Sequence, residues 1–258
     1  IASITKPMTA TGVMVLADRG ELALESPVAR FIPEFTGGDR KLITIRHLLT
    51  HTSGLPDMLP ENVDLRRRHA PLAEFVERVI RTPLLFKPGA RVQYQSMGIL
   101  LAAEVARRIT GRPFAEFLND EVFRPLGMER TALGLGRFKI PETARCQVDE
   151  APGLYGGGAK DTRSWDWNSP YWRGLGAPWG GAHSTAPDIA KFVGYFLRPD
   201  RRVLKPETAA AMVANQTAGL NEPWGLGFVV RPGSFGRACS PRTFGHSGST
   251  GTIAWADP

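Results

Sequence analysis

The sequence predicts an α+β fold, and three features of the chain predict it. Apolar residues recur at three- and four-residue spacing across 45–122, the mark of packed amphipathic helices. A glycine- and tryptophan-rich stretch, 153–181, then interrupts that pattern. The tail, 224–230 and 242–255, reads as strands joined by a turn at Pro232-Gly233. With 258 residues, 42% of them hydrophobic, the chain can bury a full core and suits one large domain or two interleaved lobes.

Taken in order, Met8, Val13, Met14, Leu16 and Ala17 give the first helix an apolar face, and Asp18-Arg19-Gly20 stops it. Pro27 and Pro33 make 22–35 a loop with short turns. Ile45, Leu48 and Leu49 begin a helix that Ser53-Gly54-Leu55-Pro56 ends, and further helices follow over 72–80, 98–109 and 114–122. The 153–181 stretch, carrying Trp165, Trp167, Trp172 and Trp179, is long for an unstructured connection and reads as a lid, a pocket wall or disorder. Ser184 or Thr185 caps a helix over 188–197, and 206–213 forms another.

The chemistry concentrates at the start. Pro7 has no N–H to donate, so it fits only in a helix's first turn, which places Ser3 at or beside the helix start. Lys6, three residues on, shares its face. Helix dipole and ammonium both favour the alkoxide of Ser3, and desolvation brings Lys6 down from about 10.4 toward a value at which it takes a proton. Ser3 then reads as a nucleophile with Lys6 as its base; the ordinary alternative is a helix cap followed by an exposed lysine. Tyr94, in Tyr94-Gln95-Ser96, sits on a loop before a helix, where an ammonium neighbour would let its phenol act as base or relay; otherwise it is a half-buried core tyrosine. In Phe244-Gly245-His246-Ser247-Gly248-Ser249, small residues let a substrate approach the backbone. The Ser249 N–H could join that of Ser3 in an oxyanion hole, or the stretch is a glycine-rich bend bearing a surface histidine.

Other motifs fail. Ser249 stands where a Gly-x-Ser-x-Gly elbow needs its last glycine. His47 and His51 have zinc-helix spacing, but Leu48 replaces the glutamate, so they read as a helix face and a capping group. Cys146 and Cys239 lack metal-ligand spacing, and neither a metal nor a cofactor is called for. The net charge of +7 is dispersed in short arginine clusters without interleaved aromatics, which argues against a nucleic-acid partner. No stretch reaches the roughly 20 apolar residues of a membrane span.

The order Ser3-x-x-Lys6, Tyr94-x-Ser96, His246-x-Gly248 resembles the serine β-lactamase and penicillin-binding-protein superfamily, most nearly its class C-like branch of esterases, D-amino-acid peptidases and β-lactamase-related hydrolases. Connecting phrases look similar too: Leu48-Leu49-Thr50-His51-Thr52-Ser53-Gly54-Leu55-Pro56, Pro125-Leu126-Gly127-Met128 and Gly180-Gly181-Ala182-His183-Ser184-Thr185-Ala186. The resemblance implies an antiparallel sheet flanked by helices, with an inserted mainly helical lobe: 1–40 and 182–258 forming the α/β lobe, 41–152 the helical lobe, and 153–181 lying near the site. It further implies a cofactor-free serine hydrolase with Ser3, Lys6 and Tyr94 catalytic, Ser3 and Ser249 holding the oxyanion, and Ser96, His246 and Gly248 meeting a small ester, lactam or peptide substrate.

Two positions depart from the pattern. Ser96 stands in place of an asparagine, and His246 in place of a lysine, so the fixed cation is lost or made pH-dependent. Both point away from efficient lactam hydrolysis and toward an esterase or a peptidase of another specificity. A penicillin-binding protein or D-amino-acid peptidase with slow deacylation and a catalytically silent scaffold are the rival readings. The chain opens on Ile1 without a targeting segment, so it reads as a piece whose terminal strands lie outside it. Location then rests on the resemblance alone, which leans periplasmic or secreted, and the acyl donor and oligomeric state are not readable.

Overall fold

The computed structural model describes residues 1–148, 151 and 160–258, and its architecture is α+β. Helix α1 (Thr5–Asp18) is entered through a single 3-10 turn, Ala2–Ile4, and every residue from Thr5 to Leu16 is buried. A helix enclosed on all sides must satisfy its polar side chains internally. The hydroxyls of Thr5, Thr9 and Thr11 accordingly donate to the carbonyls of Ala2, Pro178 and Pro7.

Against α1 pack α5 (Met97–Thr110) and α6 (Phe114–Leu118); α2 (Ile45–Leu49) and α4 (Leu72–Arg81) pack against α5, and α3 (Asn62–Arg67) lies between α2 and α4 in sequence. Helix α2 starts on a reciprocal cap: Thr44 Oγ1 accepts from the His47 N–H, and His47 Nδ1 accepts from the Thr44 N–H at 3.1 Å. On α4, Phe75, Val76, Val79 and Ile80 form one buried stripe opposite a charged face. Helix α5 is buried from Met97 to Ala106 and lies against both α1 and α2. The predicted helix over 114–122 is α6 continued by a π-turn, Asn119–Phe123.

Strands β1 (Ala132–Leu133) and β2 (Ala182–His183) pair antiparallel, with α7 (Pro170–Leu175) between them in sequence. Helices α8 (Ala186–Tyr195) and α9 (Pro206–Met212) precede a hairpin of β3 (Phe244–Gly248) and β4 (Thr252–Ala256). Its register runs from Phe244 opposite Ala256 to Gly248 opposite Thr252. The hairpin lies beside the Ala2–Ile4 turn, so the first and last parts of the chain meet.

Four expectations need correcting. The stretch 242–255 is a hairpin rather than one strand: Gly251, at φ 76°, closes a turn in which its N–H donates to the Gly248 carbonyl at 3.0 Å. The stretch 224–230 is not a strand, because its donors are spent elsewhere: the Leu226 N–H goes to the Met212 carbonyl and that of Gly227 to the Leu49 carbonyl. Only isolated bridges remain, Trp224 with Val229 and Val229 with Gly245. The described part of 153–181 is not a plain loop, since Ser169 caps α7 through the Trp172 N–H and Trp165, Trp167, Trp172 and Trp179 are all buried; the portion 153–159 lies outside the described residues. Helix α3 was not anticipated, because its run of three arginines masks a short buried face of Asn62, Leu65 and Arg66.

The hairpin is tied to α8 by a cluster of aromatic rings, most of them edge to face. Phe228 lies 4.8 Å from Phe196, 5.6 Å from Phe244 and 6.1 Å from Phe192, ring centre to ring centre, and is fully buried. Truncation of such a ring leaves a cavity that close-packed neighbours refill poorly. Phe228→Ala should therefore cost about 3–5 kcal/mol of unfolding free energy, read from urea denaturation.

Candidate active site

Ser3 lies in the 3-10 turn that leads into α1, and Lys6 follows one turn later. Lys6 Nζ is 2.9 Å from Ser3 Oγ and donates equally closely to the Trp179 carbonyl, while the Tyr94 ring centre lies 4.6 Å away. Lys6 is 1% exposed, so the alternative of an exposed lysine after a cap is excluded. Burial lowers its pKa to about 7, against the opposing pull of Asp57. Near neutrality the amine is thus divided between two forms, and the 2.9 Å contact serves both. As ammonium, Lys6 donates to Ser3; as free amine, it can accept the Ser3 proton. The turn is set by Ala2, held at φ 46°, a left-handed conformation that costs a non-glycine residue energy.

Tyr94 sits on the extended segment before α5, with its ring against Lys6, His51, Trp224 and His246. Ser96 is almost fully buried, and its hydroxyl donates to Asp57 Oδ1 at 2.6 Å. Its single O–H is thereby committed within the protein, unlike the asparagine amide it replaces in the pattern. Asp57 was missed at the sequence level. It directly follows the Leu48–Pro56 phrase, and only its position after Pro56 on a predicted loop could have singled it out.

His246 and Gly248 come from β3, and Ser249 opens the hairpin turn. A side chain at position 248 would meet the Ile1 carbonyl at 2.5 Å and the Ala2 side chain at 3.2 Å, so glycine is what allows this backbone to lie beside the Ser3 turn. His246 is 3% exposed, not a surface histidine. Its Nδ1 lies 2.6 Å from the Ser247 carbonyl and must carry the proton there, which leaves Nε2 as a buried acceptor without a partner. Burial, reinforced by Lys6, lowers its pKa to about 3. Of the two expectations for this position, this burial favours loss of the cation over a pH-dependent one.

These groups open on a cleft of about 480 Å³ lined by Ser3, Tyr94, Ser96, His246, Gly248 and Ser249. Its walls are tryptophans 167, 172, 179 and 224, so part of the 153–181 stretch is a pocket wall. Arg66, also unanticipated, lies 4.0 Å over the Trp172 ring and donates to the Trp165 carbonyl. On the far rim Arg231 pairs with Glu222 at 3.1 Å. His47 is the capping group described above, whereas His51 stands beyond the end of α2, so the two do not share a helix face. Cys146 and Cys239 are free thiols. No helix among the described residues is long and apolar enough to cross a membrane.

The Beta-lactamase family model matches residues 1–258. Esterase EstB of Burkholderia gladioli is 41% identical over 145 residues, covering 50% of this chain and 36% of the esterase. Penicillin-binding protein 4 of Amycolatopsis lactamdurans is 30% identical over 231 residues, covering 86% of this chain and 58% of that protein. Among solved structures, a penicillin-binding protein homolog from Caulobacter crescentus superposes with a TM-score of 0.79 at 26% identity, covering 100% of this chain and 74% of its own. A family VIII carboxylesterase gives 0.77 at 25% identity, covering 99% and 73%. The chain spans less than two thirds of the length of either curated relative. Matched over its whole length by the family model and sharing the fold of those structures, the chain belongs to the beta-lactamase family.

Proposed function

We propose that the protein is a serine hydrolase that cleaves an ester or amide bond through an acyl-enzyme. The observation that carries this reading is the 2.9 Å contact between Ser3 Oγ and a fully buried Lys6 whose pKa is about 7, at the edge of a cleft. Ser3 Oγ attacks the carbonyl carbon as its proton passes to Lys6, with Tyr94 sharing the base role. The carbonyl oxygen takes the negative charge and is held by the N–H groups of Ser3 and Ser249. Collapse breaks the bond to the leaving group, which departs with the proton, and a water repeats the cycle in reverse to free the acid and Ser3. Kinship with an esterase and a carboxylesterase supports the ester as substrate, as do the neutral His246 and the committed Ser96 hydroxyl, which offer a lactam neither a fixed cation for its carboxylate nor a free amide for its side-chain carbonyl.

A second reading is acylation with slow release, favoured by the relatives named as penicillin-binding proteins. A fluorescent penicillin separates the two. Persistent label on Ser3 supports slow release, and absent or short-lived label with ester turnover supports the esterase.

Ser3→Ala should abolish labelling by a fluorophosphonate and lower turnover of a short-chain nitrophenyl ester at least ~10³-fold. Label appearing on another residue would overturn the assignment. Because the free amine is the active form, the wild-type labelling rate should fall about tenfold for each pH unit below about 7 and level off above it.

Lys6 also links stability to pH. The unfolded chain keeps this lysine protonated to about 10.5, while the folded protein releases the proton near 7, so between those values the unfolded state binds more protons and stability rises with pH. Relative to Lys6→Met, the wild type should gain about 1 kcal/mol of unfolding free energy per pH unit from 7 to 10, measured by denaturant titration at each pH.

A further inference from the structure

Helix α2 ends at Leu49, and two residues later the chain takes a left-handed step at His51, φ 60°. A histidine is an expensive choice there. The position is fully buried, and a non-glycine residue at positive φ is strained. What offsets that strain lies in the segment before α5. The Gln93 N–H donates to the His51 carbonyl at 2.9 Å, and the Gln95 N–H donates to His51 Nδ1 at 3.1 Å. One residue thus holds the N–H groups of both residues that flank Tyr94.

The ring adds a second restraint. It lies 4.8 Å from the Tyr94 ring, tilted by 41°, and 4.6 Å from Trp224, nearly perpendicular, so Tyr94 is bounded on one side by imidazole and indole and on another by Lys6. The Gln95 side chain leads back to the same segment, accepting from Ser53 Oγ and donating to the His47 carbonyl. A segment without regular secondary structure is in this way tied by hydrogen bonds on either side of Tyr94.

We propose that His51 is a positioning residue for Tyr94: through Nδ1 and its ring it sets where the phenol stands relative to Ser3 and Lys6. This rests on the Ser3–Lys6–Tyr94 reading above for its effect on catalysis, but the clamp itself is a matter of geometry. Acceptance at Nδ1 requires that bond's lone pair, so the ring's proton sits on Nε2. Burial, with Lys6 and His246 nearby, holds the imidazole well below its usual pKa, and the lone pair stays available.

Two variants separate positioning from general support. His51→Gly accepts the left-handed backbone and removes the acceptor and ring; His51→Asn also tolerates positive φ and restores an acceptor near Nδ1. In His51→Gly, kcat for a nitrophenyl ester should fall on the order of 10- to 100-fold with KM within about threefold. Exchange of the Gln95 amide, followed by NMR, should quicken while that of Gln93, bonded to the main-chain carbonyl, stays slow. His51→Asn should recover both kcat and Gln95 protection. The proposal is overturned if Gln95 is as protected in His51→Gly as in wild type, if kcat is unchanged, or if His51→Asn fares no better than His51→Gly. Should wild-type protein neither turn over the ester nor label at Ser3, the hydrolase reading fails by itself, and exchange at Gln95 still decides the clamp.

Discussion

The structure depends on one buried amine. Lys6 has its charge-bearing atom enclosed, and an ammonium group so placed is stable only where hydrogen bonds and nearby π-electron density replace lost water. Three parts of the chain supply that replacement: the Ser3 turn, the Trp179 carbonyl and the Tyr94 ring. The compensation is partial, which is why the pKa settles near 7 rather than 10. Fuller compensation would leave a permanent cation, useless as a base; with less, the amine would be a permanent neutral.

That constraint explains features of the fold that seem unrelated in sequence. Trp179 can reach Lys6 only if the tryptophan-rich stretch is pulled in against α1, and Thr9, one turn beyond Lys6, bonds the Pro178 carbonyl at 2.7 Å to do so. Gly248 must lack a side chain for β3 to close over the Ser3 turn. The aromatic cluster of Phe192, Phe196, Phe228 and Phe244 anchors β3 so that this approach is held.

Much of this was legible from the residues. The spacing of Ser3 and Lys6, with Pro7 marking the helix start, gave their relation directly, since three residues on a helix fix a distance. The stripe on α4 and the run along α5 were equally readable. Pairings between distant residues were not: Ser96 with Asp57 and His51 with Gln95 join positions 39 and 44 apart, and no periodicity encodes them. The 224–230 stretch misled for the same reason, because its alternating apolar residues looked like a strand while its N–H groups were already claimed by Met212 and Leu49. His51 was read as a helix cap because the sequence shows where a helix stops but not what the next buried side chain faces.

The electrostatics of the cluster narrow the chemistry further. Lys6, His51 and His246 crowd around Tyr94, and each positive charge raises the cost of the next. His246 stays neutral down to about pH 3, and His51 is also pushed well below its usual range, so near neutrality Lys6 alone among these three nitrogen bases exchanges a proton. A lysine in place of His246 would bring a second cation toward Lys6, lowering its pKa further or losing its own charge. A neutral histidine there leaves the base tuned by burial against the pull of Asp57, with no second cation where the resembling pattern puts one.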